Sequence, residues 1–204
     1  MTSLEFKDPE KVLAGLRWIE ENADLESLPA KARHLRTRDT RPLLEARQAA
    51  LFSYGMSAVL RTPVSFAMHE DADYDAILSF ERDAQRLMVP VQLKEVVPED
   101  VNPRTSFQME LDKLKKYVDS RDLIVVFHLN RRCRLNVTDL IPPVNVVAEI
   151  WIVAGANEDM SEWVLIGNIL DEQCYTYRFS YPAACLPEGI EWGQASTSPT
   201  VLVR

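Results

Sequence analysis

The sequence predicts one α+β domain, and three observations carry that reading. Two segments near the N-terminus repeat apolar residues at helical spacing. Between them and the middle of the chain the period changes to two, giving three short strands joined by polar turns. A further helix pattern then leads into a continuous apolar run and more strands. At 204 residues the chain is long enough for one substantial core and short for two. With 47% hydrophobic and 26% charged residues its composition is that of an ordinary globular protein.

Asp8-Pro9-Glu10 opens the first helix, over 8–22, as an N-cap followed by proline at the first helical position. Val12, Leu13, Leu16, Trp18 and Ile19 form its apolar stripe. A polar, basic connection containing Pro29 runs to Thr40. Pro42 opens a second helix, with Leu43, Leu44, Ala50, Leu51, Tyr54 and Val59 at a helical period, ending near Arg61-Thr62 before Pro63. Val64–Met68, Tyr74–Phe80 and Leu87–Lys94 then read as an antiparallel meander, with polar turns at 70–73 and 81–85. Pro98 and Pro103 interrupt the chain, and Thr105 or Ser106 caps a third helix from Phe107 to Tyr117. Leu123–Leu129 is apolar throughout, as expected of a strand covered on both faces. Val146–Ala154 and Trp163–Ile169 are two more strands. Tyr175, Tyr177 and Phe179 alternate on a further candidate strand, and the default for the late aromatic residues, Trp151, Trp163, Tyr181 and Trp192 among them, is burial against the sheet. The expected division is an N-terminal helical extension over 1–40, a core over 41–193 and a flexible tail over 194–204.

No apolar run approaches the ~20 residues of a membrane-spanning helix, and the N-terminus has neither the basic start nor the apolar stretch of a secretory signal. Three cysteines without CxxC spacing, Cys133, Cys174 and Cys185, fit neither a disulfide framework nor a zinc site, and point to a cytoplasmic location. The net charge of −8 argues against a surface that grips nucleic acid everywhere. The charge is uneven, however. Lys31, Arg33, Arg36, Arg38, Arg41 and Arg47 face only Asp39 and Glu45 over 31–47, and Lys113, Lys115 and Lys116 form a smaller cluster. Each cluster also has a plain use as a solvated face. There is no internal repeat and no glycine-rich phosphate loop.

The order helix, three-strand meander, helix, strand, strand, with Asp75 early on the second strand and Gln92-Leu93-Lys94 on the third, resembles the PD-(D/E)XK (restriction-endonuclease-like) nuclease superfamily over roughly 42–153. Glu45, on the helix that opens at Pro42, matches the additional glutamate that often accompanies the motif. The resemblance implies a mixed sheet flanked by helices, and metal-dependent hydrolysis of phosphodiester bonds, DNA being the expected substrate. It implies Mg²⁺ (or Mn²⁺) held by Asp75, the Leu93 carbonyl and Gln92, with Lys94 orienting water or stabilising charge on the phosphate. Strand alternation places Gln92 and Lys94 on one face, and neither Asp75 nor Lys94 is expected to be a core residue. Gln92 departs from the commonest pattern, where an acid stands; an amide coordinates through its oxygen but is uncharged, so a metal binds more weakly. A QxK variant occurs in Mrr-type restriction endonucleases, and Glu45 would return the missing charge if the helix brings it close. Arg33, Arg36, Arg38, Arg41, Lys113 and Lys116 are the candidate phosphate contacts, and a second copy of the chain is a candidate partner.

The same residues have other uses. Asp75 can cap a turn, Gln92 and Lys94 can be the polar face of a half-exposed strand, and Glu45 can serve the helix dipole. His128, inside an apolar strand, reads as a satisfied core histidine, and His69 beside Glu70 and Asp71 is a weak metal signal. A non-catalytic module of the same fold, binding protein or nucleic acid, is therefore the alternative.

Overall fold

The first helix, α1 (Pro9–Asn22), begins as its sequence dictates: Pro9 occupies the first turn, and the Asp8 carboxylate accepts from Glu10 N at 2.9 Å and Lys11 N at 3.4 Å. In this computed structural model the structure describes residues 4–24, 27, 35, 37–38, 40–69, 74–99, 101–117, 120–131 and 133–186. The second helix, α2 (Arg41–Leu60), is stopped by Arg61 in the left-handed region (φ 54) and by Pro63. The turn at 70–73, Arg33, Arg36, Trp192 and the tail over 194–204 lie outside the described residues.

Seven strands follow one another across a single sheet in chain order: β1 (Val64–Met68), β2 (Ala76–Arg82), β3 (Gln85–Val96), β4 (Ser120–Leu129), β5 (Val147–Gly155), β6 (Glu162–Gly167) and β7 (Tyr175–Ser180). The pairings β1–β2 and β2–β3 are antiparallel, β3–β4 and β4–β5 parallel, β5–β6 and β6–β7 antiparallel. The hairpin between β2 and β3 is tighter than the sequence suggests. Asp83 and Ala84 both take positive φ (52 and 60), the two-residue turn whose twist matches its strands, so both strands run on past the polar residues. The parallel step from β3 to β4 is bridged by α3 (Phe107–Asp112), which tightens into a 3₁₀ turn at Lys113–Lys116.

A core lies on each face. On one, α1 and α2 bury Leu13, Ala50, Leu51 and Phe52 against Phe66, Leu78, Val91, Leu93, Val126, Trp151 and Trp163. The other packs Phe107, Leu111 and Leu114 against Val96, Val125, Phe127, Ile150 and Ile152. Because α2 touches β1 at one end of the sheet and β7 at the other, the sheet curls around it. Leu13, fully buried, ties α1 into this same core. His128 is buried, stacks on Trp163 (centroids 5.5 Å apart) and meets Gln48 through Nδ1 at 3.5 Å, so it is a core histidine, as its context predicted. Trp151, Trp163 and Tyr181 are buried, whereas Tyr175 is exposed. Burial pushes the Tyr181 phenol up; Arg47 beside it opposes that shift. The three cysteines stand on the surface as free thiols. No helix among the described residues is long and apolar enough to cross a membrane.

Candidate functional site

Chain geometry brings Asp75 onto the QxK tripeptide. Asp75 is the residue just before β2, and its N–H donates to the Val91 carbonyl at 2.9 Å. The Val91 backbone therefore faces β2, and by the two-residue repeat of a strand so does that of Leu93. At that level β2 has not yet begun, so the Leu93 N–H meets a side chain instead, donating to Asp75 Oδ2 at 2.7 Å. The Leu93 carbonyl leaves on the same edge. The Leu93 side chain points into the α2-side core, as read from the sequence, and Gln92 and Lys94 project from the opposite face.

Gln92 Nε2 also donates to Asp75 Oδ2, and its Oε1 accepts from the Tyr117 hydroxyl at 3.3 Å. Asp75, Gln92, Lys94 and Tyr117 are all half-buried. Tyr117, which the sequence predicts only as the end of the third helix, is the hub of the arrangement. It follows the 3₁₀ turn, and its ring lies 5.8 Å from Lys94 Nζ and 5.9 Å from Lys116 Nζ. The only sequence signal for it is position: an aromatic after a lysine-rich turn beside the parallel crossover.

The structure does not draw Glu45 into this cluster. The helix carrying it lies over the opposite face of the sheet, with Leu93, and Glu45 Oε1 accepts from Arg41 Nε at 2.8 Å. No hydrogen bond or ion pair joins it to Asp75, Gln92 or Lys94 among the described residues. A polar side chain of α2 that does reach the sheet is Gln48, and it meets His128. Of the candidate phosphate contacts, Arg38 and Arg41 are exposed, Arg41 being paired with Glu45. Lys113 is held by both Glu110 oxygens, at 2.7 and 2.8 Å, and Lys115 by Asp112 at 2.7 Å. The Asp112 carboxyl is correspondingly held below its usual range, by Lys115 first and Gln108 second. Gln108 clamps the Ile141 backbone from both ends of its amide, each bond 3.0 Å long. His69 stacks on Tyr74, centroids 5.7 Å apart.

Among the described residues no group of three or more His, Cys, Asp or Glu gathers anywhere. The oxygen donors available here are one Asp75 carboxylate, the Leu93 carbonyl and, after reversal of its amide, Gln92 Oε1. Reversal keeps the Tyr117 contact, because a hydroxyl accepts as well as donates. A hard cation that retains several waters fits such a set with one protein charge, the rest coming from a phosphate. The arrangement can thus hold an anion at Lys94 and Lys116 beside an oxygen-lined cation position. Comparison of the chain with protein-family models, with curated proteins and with solved structures finds no match.

Proposed function

We propose that the chain is a metal-dependent nuclease that hydrolyses phosphodiester bonds, DNA being the expected substrate, on a restriction-endonuclease-like fold. The observation that carries this is the convergence of Asp75, the Leu93 backbone, Gln92 and Lys94 at one strand edge. The antiparallel β1–β2–β3 meander followed by a helical crossover to parallel β4 supports the same reading. Asp75, the Leu93 carbonyl and Gln92 would hold Mg²⁺ or Mn²⁺, which neutralises phosphate charge and lowers the pKa of an attacking water. Lys94 stabilises charge that develops on the phosphate oxygens, and the half-buried setting strengthens that interaction. Tyr117 orients Lys94 and Gln92. Arg38 and Lys116 supply contacts to flanking phosphates, which position the substrate without reading its sequence. A homodimer and a cytoplasmic location belong to the same proposal; surface thiols at Cys133, Cys174 and Cys185 support a reducing compartment.

The test is cleavage of double- and single-stranded DNA and of RNA, with Mg²⁺ or Mn²⁺, by the wild type, Asp75→Asn and Lys94→Gln. Loss of a transition-state charge partner lowers the rate by about 10²–10³, so both variants should fall that far while the wild type cleaves. No cleavage by the wild type with either metal refutes the proposal. The second reading, a non-catalytic module of the same fold, is favoured by one observation: one Asp75 carboxylate oxygen, Oδ2, is already engaged by two donors of its own chain. Under it the wild type retains nucleic acid without cutting, and Arg38→Glu releases it.

A further inference from the structure

We infer that this site receives the phosphate of its substrate before any divalent cation, Lys94 and Lys116 being the receiving groups and Gln92 keeping Asp75 engaged until then. The inference rests on the phosphodiester reading above and adds to it an order of binding. Charge is the first argument. Among the described residues, the ionisable side chains gathered around Tyr117 are one carboxylate, Asp75, which reaches it through Gln92, and two ammonium groups, Lys94 and Lys116. Lys113 and Lys115 on the same 3₁₀ turn are each neutralised by an acid of α3, Glu110 and Asp112. Neither Lys94 nor Lys116 has a carboxylate within ion-pair distance among the described residues. Among the described residues the cluster without ligand is therefore net positive, a balance that favours an anion over a cation.

Hydrogen bonding is the second argument, independent of the first. Asp75 Oδ2 is covered by the Leu93 N–H and by the Gln92 amide group, and the Tyr117 hydroxyl fixes that amide by donating to its oxygen. In this orientation a cation approaching Asp75 Oδ2, the oxygen beside the Leu93 backbone, meets an NH₂ group. A phosphate drawn in by Lys94 and Lys116, both against the Tyr117 ring, offers the Tyr117 hydroxyl a charged acceptor in place of Gln92. The amide is then released to turn its oxygen toward Asp75, and the local charge has fallen. The anion thus removes both obstacles to the cation. An acid at position 92 would remove them permanently, which is what Gln92 avoids.

The experiment uses the full chain, freed of metal with a chelator, a short phosphorothioate thymidine oligonucleotide followed by calorimetry, and Mn²⁺ followed by its electron paramagnetic resonance. The wild type should bind the oligonucleotide without metal and bind Mn²⁺ at least about tenfold more tightly once the oligonucleotide is present, with Mn²⁺ tightening the oligonucleotide by the same factor. Lys94→Gln and Lys116→Gln should each weaken metal-free oligonucleotide binding by about tenfold, the worth of one charge-assisted contact. Gln92→Glu should reverse the order, taking Mn²⁺ alone and holding the oligonucleotide less well without it. Far-UV circular dichroism checks that each variant is folded. Mn²⁺ binding to the wild type that is equally tight with and without oligonucleotide overturns the order and leaves the nuclease reading standing. Metal-free binding that is the same in all four proteins places the oligonucleotide elsewhere and also overturns it. If neither ligand binds any of the proteins, the order and the nuclease reading fail together.

Discussion

Asp75 has a structural duty that any test of its chemistry must separate out. In Asp75→Ala the Leu93 N–H, in a residue 9% exposed, loses its acceptor at 2.7 Å, and the Gln92 amide loses its carboxylate partner. A buried donor left unpaired costs about 1–3 kcal/mol, and a half-exposed amide adds less because water replaces its partner, so the total is about 2–3 kcal/mol. For a chain of this size each kcal/mol lowers Tm by about 2–4 °C, giving a loss of roughly 4–12 °C. Asp75→Asn should behave differently. Its amide oxygen, seated where Oδ2 lies, still accepts from both the Leu93 N–H and the Gln92 amide, so Gln92 need not reverse. A cost below about 1 kcal/mol follows, because both hydrogen bonds are kept, only without the charge on their acceptor. Thermal unfolding followed by circular dichroism in chelator measures both. If Asp75→Ala melts within a degree of the wild type, or Asp75→Asn falls as far as Asp75→Ala, the hydrogen-bond account of this edge is wrong.

Three further outcomes are expected. A Cβ at Gly167 would lie 2.6 Å from Trp151 Cδ2, so Gly167→Ala should destabilise by about 2–3 kcal/mol, as urea denaturation will read; an unchanged midpoint would show that the indole has room to move. Arg131 donates to the carbonyls of Val97, Asn102 and Thr105, which fixes the connection between β3 and α3. Arg131→Lys cannot reproduce that fork and should cost about 1–3 kcal/mol, with faster proteolysis within residues 97–106. The Tyr181 phenol has its folded pKa above its unfolded value, burial being the main cause. The folded state therefore keeps a proton that the unfolded state gives up, and this contribution is whole below pH 10 and is lost as pH rises above it. Tyr181→Phe should flatten the fall in stability above pH 10; an unchanged slope would assign that fall to other groups.

Most of the fold was legible because each element states its own period and its own stops. Val64–Met68 was read to the residue, and Pro63 and the Asp8-Pro9 cap marked helix ends that the structure keeps. The continuous apolar run at 123–129 announced a central strand, and β4 indeed sits between β3 and β5 with cores on both faces. Strand ends were less legible: β2 and β3 run on through Arg82 and from Gln85, because Asp83 and Ala84 adopt positive φ and nothing in their side chains demands it. The third helix fell short of Tyr117, since its last turn tightened to 3₁₀ over a lysine run with no glycine or proline to mark the change.

The site was half legible. Asp75 and the QxK alternation follow from local rules, so the meander alone places them together. Tyr117 and Lys116 arrive through a tertiary crossover, which no local period encodes. Glu45 has the helix and the chain order of a partner for Gln92. Which face of the sheet that helix covers is a tertiary fact, and the structure seats it over Leu93.

The most direct measurement is a crystal soaked with Mn²⁺ in the presence of the phosphorothioate oligonucleotide, read by anomalous scattering. The account expects one peak about 2.1 Å from an Asp75 carboxylate oxygen and the Leu93 carbonyl oxygen, with the Gln92 oxygen turned toward it and Lys94 against the phosphate. A peak elsewhere, or none while Gln92 Nε2 still donates to Asp75 beside a bound phosphate, would contradict it.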